Sequence, residues 1–139
     1  MMDRAFHLNP HYPAFYNYAL DPYYATGRFS QVITMVRRAI GADIPIWSQM
    51  VLVMSYAQLG RQTDTEAGKA KAELLRRYPD FSFERFLSDF GVIPDQPTLG
   101  QYLDGIRKAS LNECATQAEL QKYPKMTHLP LCDARRSTN

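Results

Sequence analysis

Tyr23-Tyr24-Ala25-Thr26-Gly27-Arg28 returns as Tyr56-Ala57-Gln58-Leu59-Gly60-Arg61, with the glycines 33 residues apart. Pro10, Pro45 and Pro79 mark the chain at nearly the same interval, 35 and then 34 residues. Two independent markers therefore give one period, and a period of this size is the signature of a helical-hairpin array.

The residues between the markers carry a helical pattern. Tyr16, Ala19, Leu20 and Tyr23 stand at i, i+3, i+4 and i+7, Gly27 interrupts them, and Phe29, Val32, Ile33, Val36 and Ile40 resume the stripe. Glycine enters the left-handed region without a Cβ clash, so Gly27 ends one helix, and the short Gly27-Arg28 link turns the next helix back antiparallel. The second unit places Leu52, Val53, Tyr56 and Leu59 on its first helix, Gly60 at the turn, and Ala67, Ala70, Leu74, Leu75 and Tyr78 on its second. Gln62-Thr63-Asp64-Thr65 lengthens that turn by about two residues, an insertion such loops tolerate. Lys69, Lys71, Glu73, Arg76 and Arg77 then mark the solvated face. Beyond Asp80, Ser82 is placed to cap Phe83-Glu84-Arg85-Phe86-Leu87, and Pro97-Thr98 opens a helix carrying Leu99, Tyr102, Leu103 and Ile106. Gly91 to Pro97 is too rich in proline and glycine to be helical.

With 139 residues, 45% of them hydrophobic and 22% charged, the chain has the composition of a soluble globular protein. Sixteen basic residues against 14 acidic ones give no strong pull toward nucleic acid or anionic lipid. No apolar run approaches the roughly 18 residues of a membrane span, and Met1-Met2-Asp3-Arg4 opens no secretory signal, so the expected location is the cytoplasm. Cys114 and Cys132 fall outside the patterned region and read as two reduced cytosolic thiols; a disulfide between them would not staple the core.

The pattern resembles the tetratricopeptide repeat, written W-x2-L-G-x2-Y, A-x3-F and P over about 34 residues. The first unit supplies Tyr16, Ala19, Leu20, Tyr23, Val32, Val36 and Pro45; the second supplies Gln49, Leu52, Val53, Tyr56, Ala67 and Pro79. The tryptophan and the small residue of the first helix are replaced in both. A narrower resemblance, to the C-terminal repeat region of bacterial class III adenylate/guanylate cyclases and related multidomain signalling proteins, rests on four phrases. These are Leu8 to Tyr16, Tyr56 to Arg61, Tyr78 to Arg85 and Leu103 to Ala109. It implies an all-α fold of antiparallel hairpins stacked as a short superhelix, with a non-catalytic protein-interaction role. The alternative it leaves open is the accessory end of a cyclase whose catalytic domain is absent. Ala5 to Pro10 reads as the last turn of a preceding repeat, as expected of a gene fragment or split protein.

The implied organisation is 1–12 as the end of a truncated repeat, 13–44 and 45–79 as two repeats, 80–111 as a capping helical hairpin, and 112–139 as a polar tail. The tail is expected to be weakly anchored, although Ala115 to Leu120 has enough pattern for a short helix.

No catalytic constellation is legible: His7, His11 and His128 lack zinc spacing with the cysteines, and there is no phosphate-binding glycine loop. The expectation is accordingly no enzyme, no metal and no cofactor. Asp21-Pro22 falls late in a predicted helix, where proline removes an amide donor; either a tolerated kink or a carbonyl near Tyr18 freed for a ligand follows. Trp47, Met50, Val51 and Met54 make a second apolar stripe opposite Leu52, Val53, Tyr56 and Leu59. A helix apolar nearly all round is buried on both sides or awaits a partner. By the resemblance, Asn17, Asp21, Tyr24, Trp47, Met50 and Met54 face a concave groove for a protein or peptide, for the absent upstream part, or for a second copy; the competing reading has neighbouring helices covering them.

Overall fold

The structure is a computed structural model and describes residues 20–38, 44–92 and 94–138. It is all-α, with no strand among the described residues. The chain divides into two compact units, the first ending at Pro79 and the second beginning at Asp80.

In the first unit, residues 20–25 are helical, followed by α1 (Phe29–Arg38), α2 (Ile46–Gln58) and α3 (Thr65–Arg77). The two turns seen in the sequence are the same turn in space. Gly27 (φ 80°) donates its amide to the Tyr24 carbonyl while Arg28 reaches back to that of Tyr23. Gly60 (φ 70°) and Arg61 do the same to Ala57 and Tyr56. This paired arrangement satisfies carbonyls that the helix end would otherwise orphan, and it requires a left-handed residue at the glycine. In each turn the arginine guanidinium also lies over the tyrosine ring, at 5.5 Å for Arg28 on Tyr23 and 5.1 Å for Arg61 on Tyr56. The link after Gly60 is longer: α1 starts at Phe29, whereas α3 waits until Thr65.

Helix α2 packs against α1 on one side and α3 on the other. That position explains its all-round apolar surface, since every residue from Ser48 to Ala57 is buried. Polar groups inside it are satisfied: Gln49 Nε2 donates to the Ala70 carbonyl of α3 at 2.9 Å, and Ser55 Oγ donates to the Val51 carbonyl at 2.8 Å.

The second unit holds α4 (Phe83–Phe90), α5 (Gln96–Lys108), α6 (Gln117–Lys122) and α7 (Pro130–Ser137). Ser82 caps α4 by accepting the Arg85 amide, Asp95 caps α5 by accepting that of Thr98, and Gly91 ends α4 in the left-handed region. Phe83, Phe86, Leu87, Tyr102 and Ile106 form its core.

The reading of 112–139 as a weakly anchored polar tail is corrected here. Asn112 and Glu113 carbonyls accept the Phe83 and Glu84 amides, each at 2.9 Å, so this segment completes the first turn of α4. Thr116 and Glu119 form a reciprocal capping box that starts α6. Ala115, Met126, Leu129 and Cys132 are buried. Cys114 and Cys132 are joined in a disulfide, not held as two thiols. Individual apolar residues and polar clasps hold the segment, which is why no helical period announced it. Among the described residues no helix is long and apolar enough to cross a membrane.

Burial gives α2 a direct test. Met54→Ala should destabilise the first unit by about 2–5 kcal/mol, as large-to-small changes in packed cores do. Leu59→Ala, at a side chain 38% exposed, should cost less than about 1 kcal/mol. Urea unfolding followed by circular dichroism measures both, and equal effects would contradict the burial of Met54.

Candidate functional site

Among the described residues, those expected to line the groove do not form an open surface. Tyr24, Met50 and Met54 are fully buried, and Asp21 and Trp47 are half-buried and bonded to each other, Trp47 Nε1 donating to Asp21 Oδ1 at 2.9 Å. Tyr24 also receives a hydrogen bond on its hydroxyl from Gln58 Nε2 at 3.2 Å. Of the two alternatives the sequence left open, coverage by neighbouring helices is the one found for the described residues, because α2 packs against both α1 and α3. Asn17 lies outside the described residues, as does Tyr18 with its carbonyl. Pro22 is accommodated within helical residues 20–25, its carbonyl accepting both the amide and the hydroxyl of Thr26.

The concavity that the structure does offer lies in the second unit. An open cleft of about 370 Å³ runs between α4, which contributes Arg85, Ser88 and Asp89, and the stretch Lys122 to Met126. A second cleft of about 330 Å³ shares Arg85, Lys122 and Tyr123 with it and continues past Glu119, Thr116, Asn112 and Asp80. Tyr123 thus forms a wall common to both. Tyr123 is 41% exposed, with Arg85 at 5.7 Å and Lys122 at 5.5 Å from its ring centre. Arg85 is fixed by Glu119 at 3.1 Å and stands 4.0 Å from Asp89. Pro124 supplies apolar surface beside the cations Lys122 and Lys125, with the buried Met126 at the cleft's base. Thr127 donates its amide to Ser88 Oγ at 2.9 Å and so pins the two walls together.

Behind the cleft is the carboxylate that holds the wall in place. Glu84 is completely buried and accepts four hydrogen bonds. The Ala115 amide reaches Oε1 at 3.0 Å, the Leu129 amide reaches Oε2 at 2.8 Å, and Arg136 adds a two-pronged contact at 2.7 and 2.9 Å. Burial pushes the Glu84 carboxyl up, but the Arg136 guanidinium and the Leu129 and Ala115 amides outweigh it and hold it below the ordinary carboxylate value. Arg136 is in turn shifted upward, first by its hydrogen bond to Glu84. The Cys114–Cys132 bond spans the same two segments and closes a loop with a sequence separation of 18, which contains Lys122 to Met126. By loop-closure entropy such a bond is worth roughly 3 kcal/mol.

Sequence reasoning passed over Arg85, Lys122, Tyr123 and Lys125. The signal was there in Lys122-Tyr123-Pro124-Lys125, an aromatic between two cations, and Thr116-x-x-Glu119 announced a helix start close before it. Among the described residues no three His, Cys, Asp or Glu side chains are grouped to hold a metal. No protein-family profile, curated protein or solved structure matches this chain.

The depressed Glu84 pKa fixes the sign of a pH effect. A carboxylate whose folded pKa lies below its unfolded value contributes fully above about pH 5, and the contribution is lost as pH falls through the unfolded value near 4.5 and below. Thermal melts between pH 7 and pH 3 should therefore show a steeper loss for the native chain than for Glu84→Gln. That variant should lose on the order of 3 kcal/mol at pH 7, because it leaves the half-buried Arg136 against a neutral amide with Asp133 as its remaining carboxylate. Parallel pH slopes for the two proteins would contradict the clasp.

Proposed function

We propose that the chain is a non-catalytic protein-interaction module of the tetratricopeptide type, an accessory part of a bacterial signalling protein, acting in the cytoplasm. The observation that carries the repeat reading is the turn at Gly27-Arg28 and its double at Gly60-Arg61. Both have the same pair of backbone hydrogen bonds, the same left-handed glycine and the same arginine over the same tyrosine position. Two turns built alike 33 residues apart favour stacked hairpins over an unrelated helical fold.

The contact surface in this proposal is the Tyr123 cleft, in place of the buried methionine face. Tyrosine and arginine are enriched where proteins recognise one another, tyrosine for its large rigid ring and arginine for its planar, multiply donating guanidinium. A half-exposed Tyr123 ring flanked by Arg85, Lys122 and Lys125, with Met126 beside it, has that composition. Cytoplasmic placement sets the Cys114–Cys132 bond against a reducing thiol pool, where such bonds are characteristically exchanged and not permanent.

A photoreactive benzoylphenylalanine at position 123 tests the assignment in cells. It should crosslink a discrete protein partner, and the partner recovered should bind the purified native chain. Lys122→Glu with Lys125→Glu should weaken that binding at least roughly tenfold. The same crosslinker at Leu75, exposed on α3, should not yield the partner. Equal capture at both positions, or cyclic nucleotide formed by the purified chain from ATP or GTP with magnesium, would overturn the proposal.

A further inference from the structure

The two sulfurs of the Cys114–Cys132 bond are not equivalent. Cys132 is completely buried in α7, whereas Cys114 is only half-buried, in the segment that precedes α6. The guanidinium of Arg135 lies 3.9 Å from the sulfur of Cys114. Glu113 competes for that cation, accepting from Arg135 at 3.2 Å and from Arg107 at 3.0 Å. An incoming thiolate therefore meets a reachable sulfur beside positive charge at one end of the bond, and closed packing at the other.

We propose that Cys114 is a thiol-exchange site, at which a low-molecular-weight thiol of the glutathione class forms a mixed disulfide. The thiolate attacks the Cys114 sulfur, a new sulfur–sulfur bond forms, the Cys114–Cys132 bond breaks, and its electron pair leaves on Cys132, which takes a proton from water. A second thiolate attacks the outer sulfur of the adduct. This releases the oxidised small-molecule disulfide and leaves a Cys114 thiolate beside Arg135. Two electrons pass from two small thiols to the protein disulfide, and the reverse sequence with the small-molecule disulfide as oxidant restores it.

The unit does not come apart on exchange, because Glu84 still grips the Ala115 amide, the Leu129 amide and Arg136. What changes is the loop between the cysteines, which carries Lys122, Tyr123 and Met126 of the cleft. Freed of its covalent clasp but still tied through Glu84, Ser88 and Arg85, that loop gains local opening, so exchange at Cys114 alters the cleft without unfolding the helices.

The test uses the full chain in buffers of reduced and oxidised glutathione across a range of ratios. Alkylation with iodoacetamide in denaturant, which exposes buried thiols, and peptide mass spectrometry then locate adduct and free thiol. The expected result is glutathione on Cys114 with carbamidomethyl on Cys132, favoured by roughly tenfold or more over the reverse. Adduct chiefly on Cys132, an even split, or passage from disulfide to dithiol with no adduct would overturn the proposal. In the fully reduced chain, Arg135→Gln should slow alkylation of Cys114 roughly three- to tenfold and leave that of Cys132 unchanged. Circular dichroism confirms that this variant keeps the native helical content, and an unchanged Cys114 rate in the folded variant would also overturn the proposal.

Discussion

A carboxylate cannot stay ionised out of water unless nearly all its lone pairs are met, and in the second unit this requirement governs everything around it. Glu84 is fully buried in the first turn of α4, and its four hydrogen bonds come from Ala115, Leu129 and Arg136. Those donors are 31 to 52 residues away along the chain. Meeting them folds residues 113 to 136 back over α4, and the fold-back creates the cleft, seats Tyr123 between two cations, and brings Cys114 within bonding reach of Cys132. The interaction with Arg136 is geometrically specific, two parallel contacts from a planar guanidinium, so a lysine there would not substitute for it.

The first unit is organised by a different necessity. A helix that stops must satisfy its last carbonyls, and a residue at positive φ lets its own amide and the following one turn back and do so. Gly27 and Gly60 fill that position in the first unit. In the second unit Gly91 and Ser110 occupy it, with Val92 reaching back to Leu87 and Leu111 to Ile106 by the same pattern. Ser110 shows that glycine is favoured and not obligatory, since a small polar residue also adopts φ 58° here.

These two kinds of constraint differ in how plainly a sequence displays them. The turns recur at a fixed interval and sit between amphipathic stripes, so α1 to α5, the cap at Ser82 and the break around Gly91 were legible, whereas α7 was not. A buried ion pair between positions 84 and 136 has no period and no local pattern; nothing distinguishes Glu84 in the sequence from a solvated glutamate. Cys114 and Cys132 were visible but read as thiols, because their pairing depends on a fold-back that only Glu84 and the Leu129 region enforce. The methionine stripe of α2 stayed ambiguous for another reason. Its residues and spacing are the same for a two-sided core helix and for an exposed groove, and only the placement of α1 and α3 on both sides distinguishes them.

The central claim is that residues 112–138 are part of the folded unit and build its cleft. Native-state hydrogen exchange at the Ala115 and Leu129 amides measures this most directly, since both bond a side chain and neither belongs to a helical ladder. The account predicts that these two amides exchange on the timescale of the α4 core amides, such as Phe86 and Leu87, and only upon opening of the unit. Exchange of Ala115 and Leu129 at the rate of an unprotected chain, while the α4 amides stay protected, would contradict it.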